Sequence, residues 1–311
     1  MIRAMRARIL SHHGRQAWAI DQDGQHRLCV YKGRDHQPAA NDDVLIDAHT
    51  DPAVITEILP RRNQLIRSEA HRSKILAANV DAAVIVIAGS PPFSDELLAR
   101  MICACAAEDI SGMIVLNKGD LKDDVARARA QLEPFQSALD QLGWPIFELA
   151  VKPKTLDQGD PERFRFEASL EEFRASLLGK TTVIMGQSGM GKSSLLNALI
   201  PGFNAQTQEI SEALQTGRHT TTAGQMVALA PESWVIDTPG FQLYGLHHLS
   251  ESQLALGFPE WRAAQEERGR CKFFNCHHDH EPGCNVRAAV ESNNASARRL
   301  SLWQTIRASV D

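Results

Sequence analysis

The chain has 311 residues, 43% of them hydrophobic, and a formal net charge of −5. That length suits two or three domains, and no run reaches the ~18–20 apolar residues of a membrane-spanning helix. Six cysteines are too few for a disulfide scaffold in a chain of this size, so clustered ones point to metal.

Arg3, Arg6 and Arg8 precede no apolar run, so a signal peptide is not expected and the cytoplasm is the expected location. With Arg15, Arg27, Lys32 and Arg34 they form a local basic excess over Asp21 and Asp23. Such an excess can face nucleic-acid phosphates or can simply be a solvated surface. Residues 1–66 hold short apolar runs, such as Leu28-Cys29-Val30-Tyr31 and Val44-Leu45-Ile46, punctuated by Gly24, Gly33, Asn41-Asp42-Asp43 and Pro52. Short strands with regular turn signals predict a small β-barrel of OB type.

The pattern changes near residue 80. Ala82-Ala83-Val84-Ile85-Val86-Ile87-Ala88 is a continuous apolar run, as expected for a strand covered on both faces. A helix should run from an N-cap at Ser94 to Ala107, followed by a strand at Met113–Leu116, a helix over 122–142 and a strand at 145–149. Beyond a polar insertion around Asp157-Gln158-Gly159-Asp160-Pro161, Thr181–Met185 is the next strand. This alternation predicts a mostly parallel α/β sheet over 67–245. From 246 to 311 strands disappear, and a small α-rich domain is expected.

Gly186-Gln187-Ser188-Gly189-Met190-Gly191-Lys192-Ser193 fits G-x-x-x-x-G-K-[ST] completely, after an apolar strand and before a helix opening at Ser194. The glycines let backbone N–H groups curl around phosphate oxygens. Lys192 would reach the β- and γ-phosphates, and the Ser193 hydroxyl would bind Mg²⁺. Asn117-Lys118-Gly119-Asp120 follows a strand and supplies the base specificity. The Asp120 carboxylate can accept from the N1–H and exocyclic amine of guanine, a donor pair that adenine lacks. Asn117 would brace neighbouring loops, and the Lys118 stem would cover the base. Asp237-Thr238-Pro239-Gly240 follows the strand at 234–236: Asp237 suits a water-mediated Mg²⁺ contact and the Gly240 N–H a γ-phosphate contact. One of Thr220, Thr221 and Thr222 should close over Mg²⁺; Thr221 or Thr222 is favoured. The base-reading motif precedes the phosphate loop, the reverse of an ordinary G domain, so the G domain is read as circularly permuted.

Cys271, Cys276, His278 and Cys284 offer three thiolates and an imidazole within a short segment, a closed set suited to one structural zinc. His277 and His280 are neighbours able to substitute for His278. Cys29, Cys103 and Cys105 read as buried small apolar residues.

The motif order, with Arg218-His219-Thr220-Thr221-Thr222, resembles the ribosome small-subunit-dependent GTPase A family. The resemblance covers nearly the whole chain, including Ile58-Leu59-Pro60-Arg61, Ala77-Ala78-Asn79-Val80-Asp81 and the metal-ligand spacing, which favours His278. It implies an OB barrel, a permuted G domain and a zinc domain. It also implies GTP hydrolysis stimulated by the small ribosomal subunit, through contact with its rRNA, late in that subunit's maturation. His219 is a catalytic candidate on this resemblance, alongside Lys192. Two departures stand out. Leu149-Ala150 lacks the hydroxyl the family usually supplies to the guanine site, and Gly119 replaces a β-branched residue. Phe241 stands where many GTPases place a water-orienting glutamine, and a phenyl ring cannot hydrogen-bond water. Intrinsic turnover should therefore be slow. A nucleotide-gated RNA-binding module and a zinc metallochaperone GTPase are the competing readings. The protein is expected to bind GTP and GDP, to be a monomer, and to have no membrane partner.

Overall fold

The computed structural model describes residues 4–31, 37–69, 72–204, 207 and 224–310. Five strands close the N-terminal barrel: β1 (Met5–His13), β2 (Gln16–Asp21), β3 (His26–Val30), β4 (Asp43–Asp47) and β5 (Ala53–Ile58), in the order β1-β2-β3-β5-β4. Alternation of inward and outward residues along β2 and β4 gives each strand one buried face. Ile9, Ala17, Ala19, Cys29, Val44 and Ile46 fill the interior. The β2–β3 turn is fixed by the Asp21 carboxylate, which accepts the Asp23 and Gln25 N–H groups and the Arg27 Nε.

A hairpin the sequence reading did not include, β6 (Gln64–Glu69) with β7 (Arg72–Ala78), lies between barrel and sheet. The joint is polar and buried. Arg61 grips Asp42 with two bonds of 2.7 Å, and Asn41 Nδ2 donates to the Ala78 and Asn79 carbonyls at 3.0 Å. Asp81 accepts the Thr181 N–H at 2.7 Å and so ties this joint to the strand that leads into the phosphate loop.

The central sheet has the order β10-β9-β8-β11-β13-β12, with β8 (Ala82–Ala88), β9 (Ser111–Asn117), β10 (Ile146–Glu148), β11 (Thr181–Met185), β12 (Gln225–Ala230) and β13 (Ser233–Asp237). All neighbours are parallel except β12 and β13. Every residue of β8 and β11 is buried, which explains the uninterrupted apolar run of β8 and the Val183–Met185 run of β11. Helix α1 (Asp95–Ala107) is capped as expected, the Ser94 hydroxyl accepting the Leu97 N–H. The expected helix over 122–142 is two helices, α2 (Lys122–Leu132) and α3 (Gln136–Leu142), joined by a 3₁₀ turn holding Pro134. Proline offers no N–H to the helix ladder, so the tighter turn forms there. Helix α4 (Pro161–Ser176) opens within the polar insertion, with Asp160 accepting the Glu162 N–H and Pro161 at its first position. Helix α5 (Lys192–Leu199) follows the phosphate loop.

The C-terminal region contains α6 (Glu251–Leu254), α7 (Pro259–Arg268), α8 (Asn285–Glu291) and α9 (Ala297–Ala308). It is clamped to α1: a Cβ at Gly257 would lie 2.5 Å from the Cys103 sulfur. Among the described residues no helix is long and apolar enough to cross a membrane.

One buried ion pair holds this region together. Arg299, wholly buried, donates through Nε to Glu260 at 2.6 Å and through Nη2 to the Gly257 carbonyl at 2.6 Å. Its guanidinium lies 4.0 Å from the Phe258 ring centroid and 4.9 Å from that of Phe135 in the G domain. Arg299→Ala leaves the Glu260 carboxylate buried without its partner, so a loss of about 3–5 kcal/mol is expected. Urea denaturation followed by tryptophan fluorescence checks this, since Trp261 and Trp303 sit beside the pair; an unchanged midpoint would contradict it.

Candidate nucleotide site and metal centre

The loops that follow β8, β9, β11 and β13 meet at the carboxyl edge of the sheet, where parallel sheets offer a crevice for ligands. They enclose a cavity of about 610 Å³ lined by Asn117, Lys118, Asp120, Ser188, Gly189, Gly191, Lys192, Ser193, Ser194, Asp237 and Gly240, among others. Gly186, Gln187 and Met190 shape the loop from behind: Met190 is fully buried, and Gln187 Oε1 accepts the Ser94 N–H at 2.9 Å.

Local sterics show why this sequence makes this loop. Gly191 has φ +96°, and a Cβ there would lie 2.2 Å from Asn117 Nδ2. Side chains are thus excluded where the base-reading motif approaches the phosphate loop. Asn117 Nδ2 donates to the Met190 carbonyl at 3.0 Å, and Lys118 Nζ donates to the carbonyls of Gly189 and Ser90. The bracing expected of Asn117 is present, and Lys118 joins three loops.

Lys192 Nζ donates to the carbonyls of Gly186 at 2.9 Å and Gln187 at 3.2 Å. Burial pulls its pKa below the ordinary lysine value, against the opposing pull of Asp237. Burial likewise pushes Asp237 up to about 6, with the Lys192 charge acting the other way. Both groups are therefore held in a desolvated setting where a phosphate and a divalent cation would satisfy them. A Cβ at Gly240 would crowd Ser188 Cα at 3.0 Å and Lys192 Nζ at 3.1 Å. Thr238 Oγ1 donates to the Ile184 carbonyl at 2.8 Å and pins the turn to β11.

Phe241 does not face the cavity. Its ring is buried against Tyr244, edge to face at 5.2 Å between centroids, and its N–H donates to the Gly186 carbonyl at 3.2 Å. The residue supports the phosphate loop from the core. Gly119 is also explained, because a Cβ there would meet the Phe166 ring of α4 at 2.6 Å. His219 and Thr220–Thr222 lie outside the described residues.

The second centre gathers Cys271, Cys276, His278 and Cys284, whose ligand atoms all lie within 4.8 Å of one another. His278 Nδ1 is 3.7, 3.5 and 3.4 Å from the sulfurs of Cys271, Cys276 and Cys284 respectively. Those separations match the edges of a tetrahedron with bonds of about 2.0–2.3 Å, the size for zinc. Donor set and spacing therefore fit a four-coordinate metal ion. The alternatives to His278 are occupied elsewhere: His277 Nδ1 meets Glu251 at 2.9 Å, and exposed His280 meets Asp279 at 3.0 Å. Trp303 Nε1 and Gln304 Nε2 donate to the His277 and His278 carbonyls, which fixes the metal loop to α9.

Fold and loops together define a circularly permuted P-loop GTPase, with the base-reading loop on β9 preceding the phosphate loop on β11 in sequence while lying beside it in space. The chain belongs to the RsgA GTPase family, whose model matches residues 58–247. It is 41% identical over 300 residues to the small ribosomal subunit biogenesis GTPase RsgA of Bordetella pertussis, covering 96% of this chain and 94% of that protein. The protein of the same name from Paraburkholderia phymatum is 41% identical over 302 residues, covering 96% and 90%. Among solved structures, YjeQ from Thermotoga maritima superposes with a TM-score of 0.71 at 25% identity, covering 99% of this chain and 98% of that one. YloQ, described as a circularly permuted GTPase, gives 0.66 at 25% identity, covering 99% and 95%.

Proposed function

We propose that this protein hydrolyses GTP to GDP and phosphate as a late-acting factor in small ribosomal subunit assembly, and that the subunit stimulates it. The observation that carries the reading is the convergence of the β9, β11 and β13 loops on one cavity, with Asp120 at one side and Lys192, Asp237 and Gly240 at the other. In this reading Asp120 accepts from guanine, while Asn117, Lys118 and Gly119 hold the base-side loop. The N–H groups of Gly186–Ser194 cradle the phosphates. Lys192 neutralises β- and γ-phosphate charge, and the Gly240 N–H meets the γ-phosphate. Ser193 and Thr221 would hold Mg²⁺, with Asp237 contacting it through water; the ion would supply further charge stabilisation at the phosphates. The Cys₃His set is proposed to hold one structural zinc, which supports a fastening role rather than a metallochaperone. The protein is proposed to act as a cytoplasmic monomer without a membrane partner.

Phe241, turned into the core, offers no hydrogen bond to water, so turnover in isolation should be slow and a partner should complete the site. His219, beside the threonines of 220–222, is the proposed group. Phosphate release is measured with isolated small subunits, with large subunits and with none. Stimulation by small subunits alone is expected, falling by about 10²-fold in His219→Ala while GTP affinity holds. Stimulation that survives the substitution removes His219 from the mechanism. No stimulation by small subunits contradicts the ribosomal role and favours a nucleotide-gated RNA-binding module.

A further inference from the structure

Leu149-Ala150 leaves the guanine side of the cavity without the hydroxyl its family usually places there. The backbone of Leu149 is already committed, its N–H donating to the Leu116 carbonyl and its carbonyl accepting the Gly119 N–H, each at 2.9 Å. Asp120 nevertheless has donors from further along the chain. The Lys154 N–H donates to Asp120 Oδ2 at 2.8 Å. Thr155 Oγ1 donates to the Asp120 backbone carbonyl at 2.9 Å and lies 3.4 Å from Oδ2. Among the described residues no protein group donates to Oδ1, although Asp120 is only 5% exposed and lines the cavity.

From this arrangement we infer that Thr155, acting with the Lys154 N–H, is a positioning residue that sets the orientation of Asp120 and so the discrimination for guanine. The inference rests on the reading of Asp120 as the base-reading carboxylate. An aspartate side chain turns broadly about its terminal torsion, yet two contacts to a purine edge require the carboxylate to lie in the plane of the base. A donor on the far side of Oδ2 fixes that rotation and leaves Oδ1 and the remaining lone pair of Oδ2 for the ligand. The Thr155 hydroxyl also holds the 151–155 segment against the Asp120 main chain, which keeps the Lys154 N–H in place. Phe166 closes the arrangement from behind, within contact of Gly119. The hydroxyl missing after β10 is thus supplied from a loop five residues further on.

The test is equilibrium binding of GDP and of inosine diphosphate, which lacks the exocyclic amine, to the full chain. Thr155 is exposed apart from these contacts, so Thr155→Val preserves shape and removes the donor. GDP affinity is expected to fall about tenfold, and that of inosine diphosphate by less, so that the preference for guanine shrinks. Thr155→Ser keeps the donor and should stay within about twofold of the parent for both ligands. Unchanged GDP affinity and preference in Thr155→Val, with Asp120→Asn strongly impaired, overturns the role of Thr155 alone. If Asp120→Asn binds GDP like the parent, the base is read elsewhere and the inference falls with that reading. Equal losses for both nucleotides, not rescued by serine, mark Thr155 as a merely structural residue and also overturn it.

Discussion

Lys192→Ala is expected to lower subunit-stimulated GTP hydrolysis by at least about 10²–10³-fold, the scale for removing one preorganised charge-stabilising donor. The lysine is buried, and its amine already bonds to the carbonyls of Gly186 and Gln187 at the mouth of the phosphate loop. Those carbonyls are weak substitutes for phosphate oxygens, and Asp237 is the anion that its charge offsets. Without Lys192, the carboxylate of Asp237 loses the opposing charge that restrains its raised pKa. The carboxylate then protonates more readily near neutrality, and a proposed Mg²⁺ contact weakens along with the phosphate contact. Both losses fall on the reacting end of the nucleotide, whereas Asp120 and its supports are untouched. Base-side affinity for GDP should therefore suffer less than turnover. Single-turnover phosphate release and GDP binding, compared between parent and variant, read the two effects separately. Unaltered turnover would remove the phosphate-loop assignment, whatever the motif looks like.

The second large effect concerns the Cys₃His centre. Stripping the metal, or substituting Cys276→Ser, is expected to release the loop of residues 271–284 and the start of α8. Cys284 supplies both a ligand and the N-cap of α8, its sulfur accepting the Arg287 N–H. Little apolar burial holds that loop, since Phe274 is fully exposed and Phe273 is 41% exposed. In the proposed zinc-bound form, the metal would supply most of its local folding free energy, for which structural zinc provides about 10–16 kcal/mol in small zinc-finger peptides. The Arg299–Glu260 pair and the apolar residues around Phe258, Trp261 and Trp303 should persist, because they pack on α1 and α3 independently of the metal. Hydrogen exchange with and without a chelator reads this outcome. Protection should vanish across 271–284 while α7, α9 and the β8–β11 core stay protected. Equal protection of 271–284 in metal-free protein contradicts a structural zinc.

The loops that line the cavity were legible in the sequence because the chemistry proposed for them admits few residue types. Glycine is demanded wherever two loops approach within a Cβ's reach, as Gly191 is by Asn117. The barrel was legible from its short alternating runs and the sheet from its continuous apolar ones. Helix α4 was not, because only Phe166 and Phe173 of its sixteen residues are buried, so no apolar stripe announces it. Its one signal was Asp160-Pro161, which a turn and a helix start share. The β6–β7 hairpin was not legible because polar residues such as Arg67, Ser68, Ser73 and Lys74 interrupt its apolar ones, although Leu65, Leu76 and Ala77 are buried in the core. For Phe241, residue type offers water no hydrogen bond, but only packing reveals that the ring sits in the core. What occupies His277 likewise depends on a partner far along the chain. Glu251 engages His277 across 26 residues, a pairing that no local spacing encodes.

The central claim is that one cavity at the carboxyl edge of a permuted sheet reads guanine through Asp120. Calorimetric titration of the full chain with GDP, ADP and xanthosine diphosphate, repeated on Asp120→Asn, tests it most directly. The parent should prefer GDP over ADP by about 10⁴-fold, because adenine leaves a buried carboxylate without donors. Asp120→Asn should lose that preference and gain affinity for xanthosine diphosphate, whose second carbonyl suits the new amide. A parent that binds ADP as tightly as GDP, or an Asp120→Asn variant that still binds GDP like the parent, would contradict the account.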